Sequence, residues 1–134
     1  MIGIIITGHG RFASGMKSAL EVIAGECANV KTVDFEQGCS VQHFEEKMRE
    51  TIERQHAIYE QVIICADLVG GTPFKSSVLL TLKNSNVQVA GGTNLGLLLE
   101  VQAGAKTGSD AQHVLQDALV MCTGSMTLFK KKKQ

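Results

Sequence analysis

Apolar residues fall in two kinds of run along this chain. Ile2, Ile4, Ile5 and Ile6 make an almost unbroken apolar stretch, and Val62, Ile63 and Ile64 make another inside Gln61–Ala66. Runs of this length, rich in β-branched residues, predict strands buried on both faces. Val30–Phe35 alternates apolar residues with Lys31, Thr32 and Asp34 and predicts a strand between these two. Val87–Ala90 predicts a short fourth.

Between the strands the apolar spacing changes to a helical period. Met16, Ala19, Leu20 and Ile23 define a first helix, capped by Ser14 and stopped by Gly25. Val41, Phe44, Met48 and Ile52 form the stripe of a second, capped by Ser40. Thr72 as N-cap and Pro73 as first helical residue start a third. It is expected to run to about Leu82 and to bury Phe74, Val78 and Leu82. Thr93 or Asn94 caps a fourth helix through Leu95, Leu98, Leu99 and Val101, and the chain is expected to loosen from Gly104 to Gly108. Ser109 or Asp110 caps a last helix carrying Val114, Leu115, Ala118 and Leu119. Met126–Phe129, flanked by Lys, has the character of an edge strand.

Strands alternating with helices predict an α/β fold: a mainly parallel sheet with helices on both faces. The 134 residues make one domain, taken as 1–129, followed by the basic tail 130–134. The formal charge is zero, but the tail supplies four of the 13 Lys and Arg. The body is therefore left at −4, which is no nucleic-acid-binding composition. No apolar stretch approaches the roughly 20 residues that span a bilayer, and the start lacks the features of a signal peptide, so a cytoplasmic location is expected. Cys27, Cys39, Cys65 and Cys122 show no metal-ligand spacing, and Cys65 and Cys122 are expected to be core thiols.

Three strand ends carry candidate chemistry. The first ends in Gly8-His9-Gly10, the third in Asp67 followed by Gly70-Gly71-Thr72-Pro73-Phe74, and the fourth in Gly91-Gly92-Thr93-Asn94. In a parallel sheet all three lie at the carboxyl edge, where ligands bind. His9 and Asp67 can then be neighbours. A carboxylate holds the proton of one ring nitrogen and leaves the other basic and nucleophilic. N–H groups around Gly71, Thr72 and Phe74 form an anion cradle at a helix start. These parts describe a site that accepts a phosphoryl group on His9. No P-loop, dinucleotide fingerprint or nucleophile elbow accompanies them. His43, His56 and His113 sit on predicted helices without metal-ligand company.

Gly8-His9-Gly10 and Asp67-Leu68-Val69-Gly70-Gly71-Thr72-Pro73-Phe74, at this spacing, resemble the enzyme IIA domain of the mannose family, part of the bacterial phosphoenolpyruvate-dependent sugar phosphotransferase system. Val33-Asp34-Phe35 and Gly91-Gly92-Thr93-Asn94-Leu95 extend the resemblance over nearly the whole chain. It implies that His9 takes a phosphoryl group from phospho-HPr as tele-phosphohistidine and passes it to enzyme IIB, which serves the membrane components IIC and IID. Asp67 would orient His9, Thr72 would hold phosphoryl oxygens, and neither metal nor nucleotide cofactor would be used. It further implies a homodimer whose last strand, here Met126–Phe129, is antiparallel and exchanged between subunits. The end of the chain at Gln134 points to enzyme IIB as a separate chain. Val69 stands where mannose-type members can carry an aromatic residue, and Arg11-Phe12 also differs from them and looks closer to the N-acetylgalactosamine branch.

Three rivals remain. A histidine-nucleophile phosphatase has Arg-His-Gly, whereas here Gly8 precedes His9. A non-catalytic signalling or ligand-binding module would need only the pocket. A phosphoryl-donor subunit for dihydroxyacetone kinase would not be expected to carry Gly-Gly-Thr-Pro-Phe.

Overall fold

The isoleucine run forms the strand on which the sheet is built. In the computed structural model, which describes residues 1–133, β1 (Gly3–His9) lies between β2 (Val30–Phe35) and β3 (Val62–Ala66), and β3 lies beside β4 (Val87–Ala90). All pairings are parallel, in the order β2-β1-β3-β4. Helices α1 (Phe12–Ala24), α4 (Leu95–Thr107) and α5 (Ala111–Cys122) cover one face. Helices α2 (Val41–His56) and α3 (Thr72–Thr81) cover the other. Alternation along β1 serves both: Ile4 and Ile6 enter the first core, Ile5 the second. This is why the run is continuous rather than alternating.

Two helix starts depart from the sequence reading. Helix α1 begins two residues before Ser14, and its N-cap position, Arg11, makes no side-chain cap. The cap comes instead from β2: the Asp34 carboxylate accepts the Ser14 N–H at 3.0 Å and the Ser14 hydroxyl at 2.7 Å. The chain turns at Gly10, whose N–H donates to the Phe35 carbonyl at 2.8 Å. That bond draws the start of α1 over the end of β2, within reach of Asp34. In α3 the cap is Gly71, and Thr72 is already helical.

The buried face of α3 is also corrected. Pro73, Ser76, Ser77 and Thr81 point inward, Phe74 and Val78 are partly buried, and Leu82 is exposed. The hydroxyls of Ser77 and Thr81 donate to the carbonyls of Pro73 and Ser77. Satisfied within the helix, these small residues can face the interior. Ile23 of α1 and Leu119 of α5 are likewise more exposed than their spacing implied.

The chain does not loosen at Gly104, because α4 continues to Thr107 with Val114 of α5 packed against Gly104. Asn94 and Asp110 are the caps that form. Cys65 is fully buried, and burial pushes its thiol up to about 12 with only partial relief from Thr93; Cys122 is just partly buried. Among the described residues Met126–Phe129 pairs with no strand and is exposed, so the expected edge strand is not formed within this chain. Lys130–Lys133 are exposed too, and Gln134 lies outside the described residues.

Asp34→Ala removes the cap of α1. It should lower stability by about 1 kcal/mol, read as a fall in the urea midpoint at unchanged m-value. A midpoint equal to wild type would show that the cap adds nothing.

Candidate functional site

The site sits where the sheet changes direction. From β1 the chain crosses to β2 on one side, whereas β3 stands on the other. The carboxyl ends of β1 and β3 therefore open into a crevice at this switch point. Their register aligns Thr7 with Ala66. The next residues, Gly8-His9 and Asp67, leave the sheet side by side.

His9 and Asp67 are joined twice. The His9 N–H donates to Asp67 Oδ2 at 2.9 Å, and His9 Nδ1 lies 2.8 Å from the same oxygen. The other oxygen, Oδ1, accepts the Leu68 N–H at 2.8 Å. Burial by itself would raise the Asp67 carboxyl. The bonds from the His9 backbone, the His9 ring and the Leu68 N–H outweigh it, and its pKa is lowered. An ionised carboxylate only accepts, so Nδ1 carries the proton of the neutral ring and Nε2 carries the lone pair. The Asp67 side chain is 11% exposed and that of His9 46%. The carboxylate is thus held inside while the ring faces outward.

Two glycines allow this approach. A Cβ on Gly8 would lie 2.9 Å from Asp67 Cγ and 2.6 Å from the Phe12 ring. A Cβ on Gly71 would lie 2.7 Å from His9 Cε1 and 3.4 Å from Nε2. The imidazole therefore rests on the backbone that starts α3. The first helical bond runs from the Lys75 N–H to the Gly71 carbonyl at 2.9 Å. Pro73 has no N–H, so Thr72 and Phe74 keep the first-turn donors that have no helical partner. These donors and the positive end of the helix dipole follow directly on Gly71, against which the ring rests. Phe74 also packs under Gly91, at the end of β4.

All five residues singled out from the sequence therefore belong to one region: His9 and Asp67 in direct contact, Gly71 against the ring, Thr72 and Phe74 in the adjoining turn. Phe35 was missed. It lies opposite His9 in the β1–β2 register, and its ring meets the imidazole edge-on at 5.9 Å and 66°. Phe44 backs it in turn at 5.2 Å. The alternation of β2 gave Phe35 a face, but only the register brings it to His9. The other histidines lie elsewhere: His43 in the first turn of α2, His56 bonded to Tyr59 and Asn84, and His113 beside Asp117 on α5.

The site is open. Leu68 and Val69 beside it are 58% and 72% exposed. Among the described residues no group of three or more His, Cys, Asp or Glu is placed to hold a metal, and no helix is long and apolar enough to cross a membrane.

Comparison with known proteins shows the family of the chain. The family described as PTS system fructose IIA component, of the mannose type, matches residues 3–119. The fructose-specific EIIA component of Bacillus subtilis is 34% identical over 75% of this chain and 68% of its own length. The sorbose-specific EIIA component of Lacticaseibacillus casei is 35% identical over 83% and 79%. A crystal structure of a phosphotransferase system component EIIA from Streptococcus agalactiae superimposes with a TM-score of 0.82 at 28% identity, covering 95% of this chain and 96% of that one.

The lowered carboxyl pKa makes Asp67 a source of acid sensitivity. A group whose pKa is depressed on folding contributes stability above its unfolded value, about 3.9, and loses it as pH falls through the folded value. The stability gap between wild type and Asp67→Asn should therefore be full above about pH 4 and close at lower pH. Urea midpoints from pH 7 to pH 2 measure it, and a gap that stays constant would mean the carboxylate is not held in this way.

Proposed function

Because the chain belongs to the mannose-type enzyme IIA family of the sugar phosphotransferase system, and is thus a phosphotransferase component of sugar uptake, we propose that His9 is the residue that carries the phosphoryl group. The observation that carries this reading is the 2.8 Å bond from His9 Nδ1 to Asp67. It leaves Nε2 bare and aimed outward, next to the first turn of α3.

The donor is phospho-HPr. As its P–N bond breaks, Nε2 of His9 forms the new one, giving tele-phosphohistidine, and Nδ1 keeps its proton. The ring becomes cationic, and the Asp67 carboxylate balances it. The phosphoryl oxygens meet the N–H groups of the turn Gly71-Thr72-Pro73-Phe74 and the Thr72 hydroxyl. Transfer onward to enzyme IIB reverses these steps, and IIB then serves the membrane components IIC and IID.

The exposed ring and its apolar neighbours Leu68 and Val69 favour a protein as donor and acceptor, since a docked protein supplies the missing wall and excludes water. A cytoplasmic location follows from these partners. The sugar is read by the membrane components. Arg11 and Phe12 favour the N-acetylgalactosamine branch, and the fructose- and sorbose-specific relatives add those sugars to assay.

The carrier domain is taken as residues 1–129 with a basic tail, 130–134. It acts as a homodimer in which Met126–Phe129 pairs antiparallel with β4 of a second copy. Three features support this: the unpaired side of β4, the exposed Met126, Leu128 and Phe129, and the exposed Leu79 and Leu82 on α3.

Intact mass after incubation with phosphoenolpyruvate, enzyme I and HPr is the test. Wild type should gain one acid-labile phosphoryl group, and His9→Ala should gain none. No adduct on folded wild type sinks the carrier reading. Asp67→Asn should be phosphorylated at least tenfold more slowly, a loss of about 1.4 kcal/mol or more at the barrier; wild-type speed would remove Asp67 from the mechanism. Truncation after Gly124 should turn the dimer into a monomer in light scattering, and a truncated dimer would reject the exchanged strand.

A further inference from the structure

The edge of the sheet formed by β2 carries a second concentration of charge, away from His9. β2 has a neighbour only on its β1 side, so its other side is open. Clefts of about 420, 400 and 280 Å³ wrap round this edge and share Thr32. The smallest is lined by Lys17 of α1, Lys31 and Thr32 of β2, and Thr51 and Arg54 of α2, with no carboxylate. Strand alternation brings them together. Val30 belongs to the core under α1 and Val33 to the core under α2. Thr32 therefore turns to the α1 side with Lys17, and Lys31 to the α2 side with Arg54.

Among the described residues none of these three cations takes part in an ion pair. The carboxylates of the two neighbouring clefts are Glu21, Asp34, Glu36 and Glu50. Three are already engaged: Glu21 accepts the Cys27 N–H at 3.0 Å, Asp34 caps α1, and Glu36 accepts from Arg11 at 3.2 Å. The neighbouring carboxylates keep their charge, but the charge lining the smallest cleft itself is purely cationic, and an anion is its natural complement. The hydroxyl of Thr51 narrows the ligand class. It donates to the Lys47 carbonyl at 2.8 Å, so toward the cleft it can only accept. A ligand that satisfies the whole lining brings an anionic group for the cations and an O–H donor for Thr51.

We propose that this cleft is a binding site for a small phosphorylated polyol, with the phosphate held by Lys17, Lys31 and Arg54 and a ligand hydroxyl donated to Thr51. At about 280 Å³ the cleft is at the small end for a ligand pocket, which limits the ligand to a small molecule. The site is separate from the phosphoryl site. Thr32 pairs with Ile6 and Phe35 with His9, so the cleft lies roughly 10 Å along the strand before His9. The proposal stands whether or not His9 is the phosphoryl carrier.

Isothermal titration with glucose 6-phosphate, inorganic phosphate and glucose tests it. Wild type should bind glucose 6-phosphate at one saturable site, at least tenfold more tightly than either other probe. Lys31→Ala/Arg54→Ala should weaken that binding at least tenfold. Both residues are exposed, so the urea midpoint should not move. Thr51→Val should lose the preference over inorganic phosphate, and His9→Ala should bind as wild type does. No saturation at millimolar glucose 6-phosphate, undiminished binding by the double variant, or loss of binding in His9→Ala would overturn the site. Equal affinity for inorganic phosphate would overturn the polyol.

Discussion

The contact between His9 and Asp67 is the constraint on which the functional end of this molecule depends. The two residues are 58 positions apart in the chain. They meet because β1 and β3 are adjacent, parallel and aligned from Gly3–Val62 to Thr7–Ala66. A slip of one residue would turn the Asp67 side chain to the other face of the sheet. The doubly buried isoleucine and valine runs make such a slip costly, since both faces of each strand are packed. The core thus sets the geometry of two polar groups at its rim.

The opposite edge of the sheet is held by buried amides. Asn29 and Gln102 exchange two side-chain bonds at 2.9 Å each, and Asn29 also donates to the Ile2 carbonyl. Gln55 donates to the carbonyls of Ile4 and Asn29 at 2.8 Å. These bonds tie α2, α4 and the amino ends of β1 and β2 together. A polar clamp at one end and a packed core along the middle leave the carboxyl end free to carry exposed chemistry. There the imidazole is steadied by Asp67 on one nitrogen and by the edge of Phe35, while its outer side stays uncovered. Charge and hydrogen bonding around the imidazole are set by the chain itself, while its outer side is open to solvent.

Much of this was legible in the residues. The four strands, the cap at Ser40, the pairs Thr93/Asn94 and Ser109/Asp110 from which the other caps come, and the placing of His9 and Asp67 at strand ends follow from local rules of apolar period and capping chemistry. The misses at the helix starts and in α3 follow from packing the sequence does not show. Ser14 reads as a cap, but Asp34, 20 residues away, does the capping. Thr72 reads as a cap, but the cap falls on Gly71, where the His9 ring leaves no room for a side chain. Val78 and Leu82 read as a buried stripe, yet α3 turns serines and threonines inward. In the first two cases a partner distant in sequence shapes the helix start, and in α3 hydroxyl bonds within the helix let small polar residues face inward.

Sequence by itself determined the strand–helix alternation and the residue types at the strand ends, because period and capping act over a few neighbouring positions. Only the tertiary structure decided the order β2-β1-β3-β4, the shared oxygen of Asp67, the Phe35 edge and the cationic cleft on β2. Each of these joins elements that the chain keeps apart, and register and packing, not spacing, bring them within hydrogen-bonding or charge range.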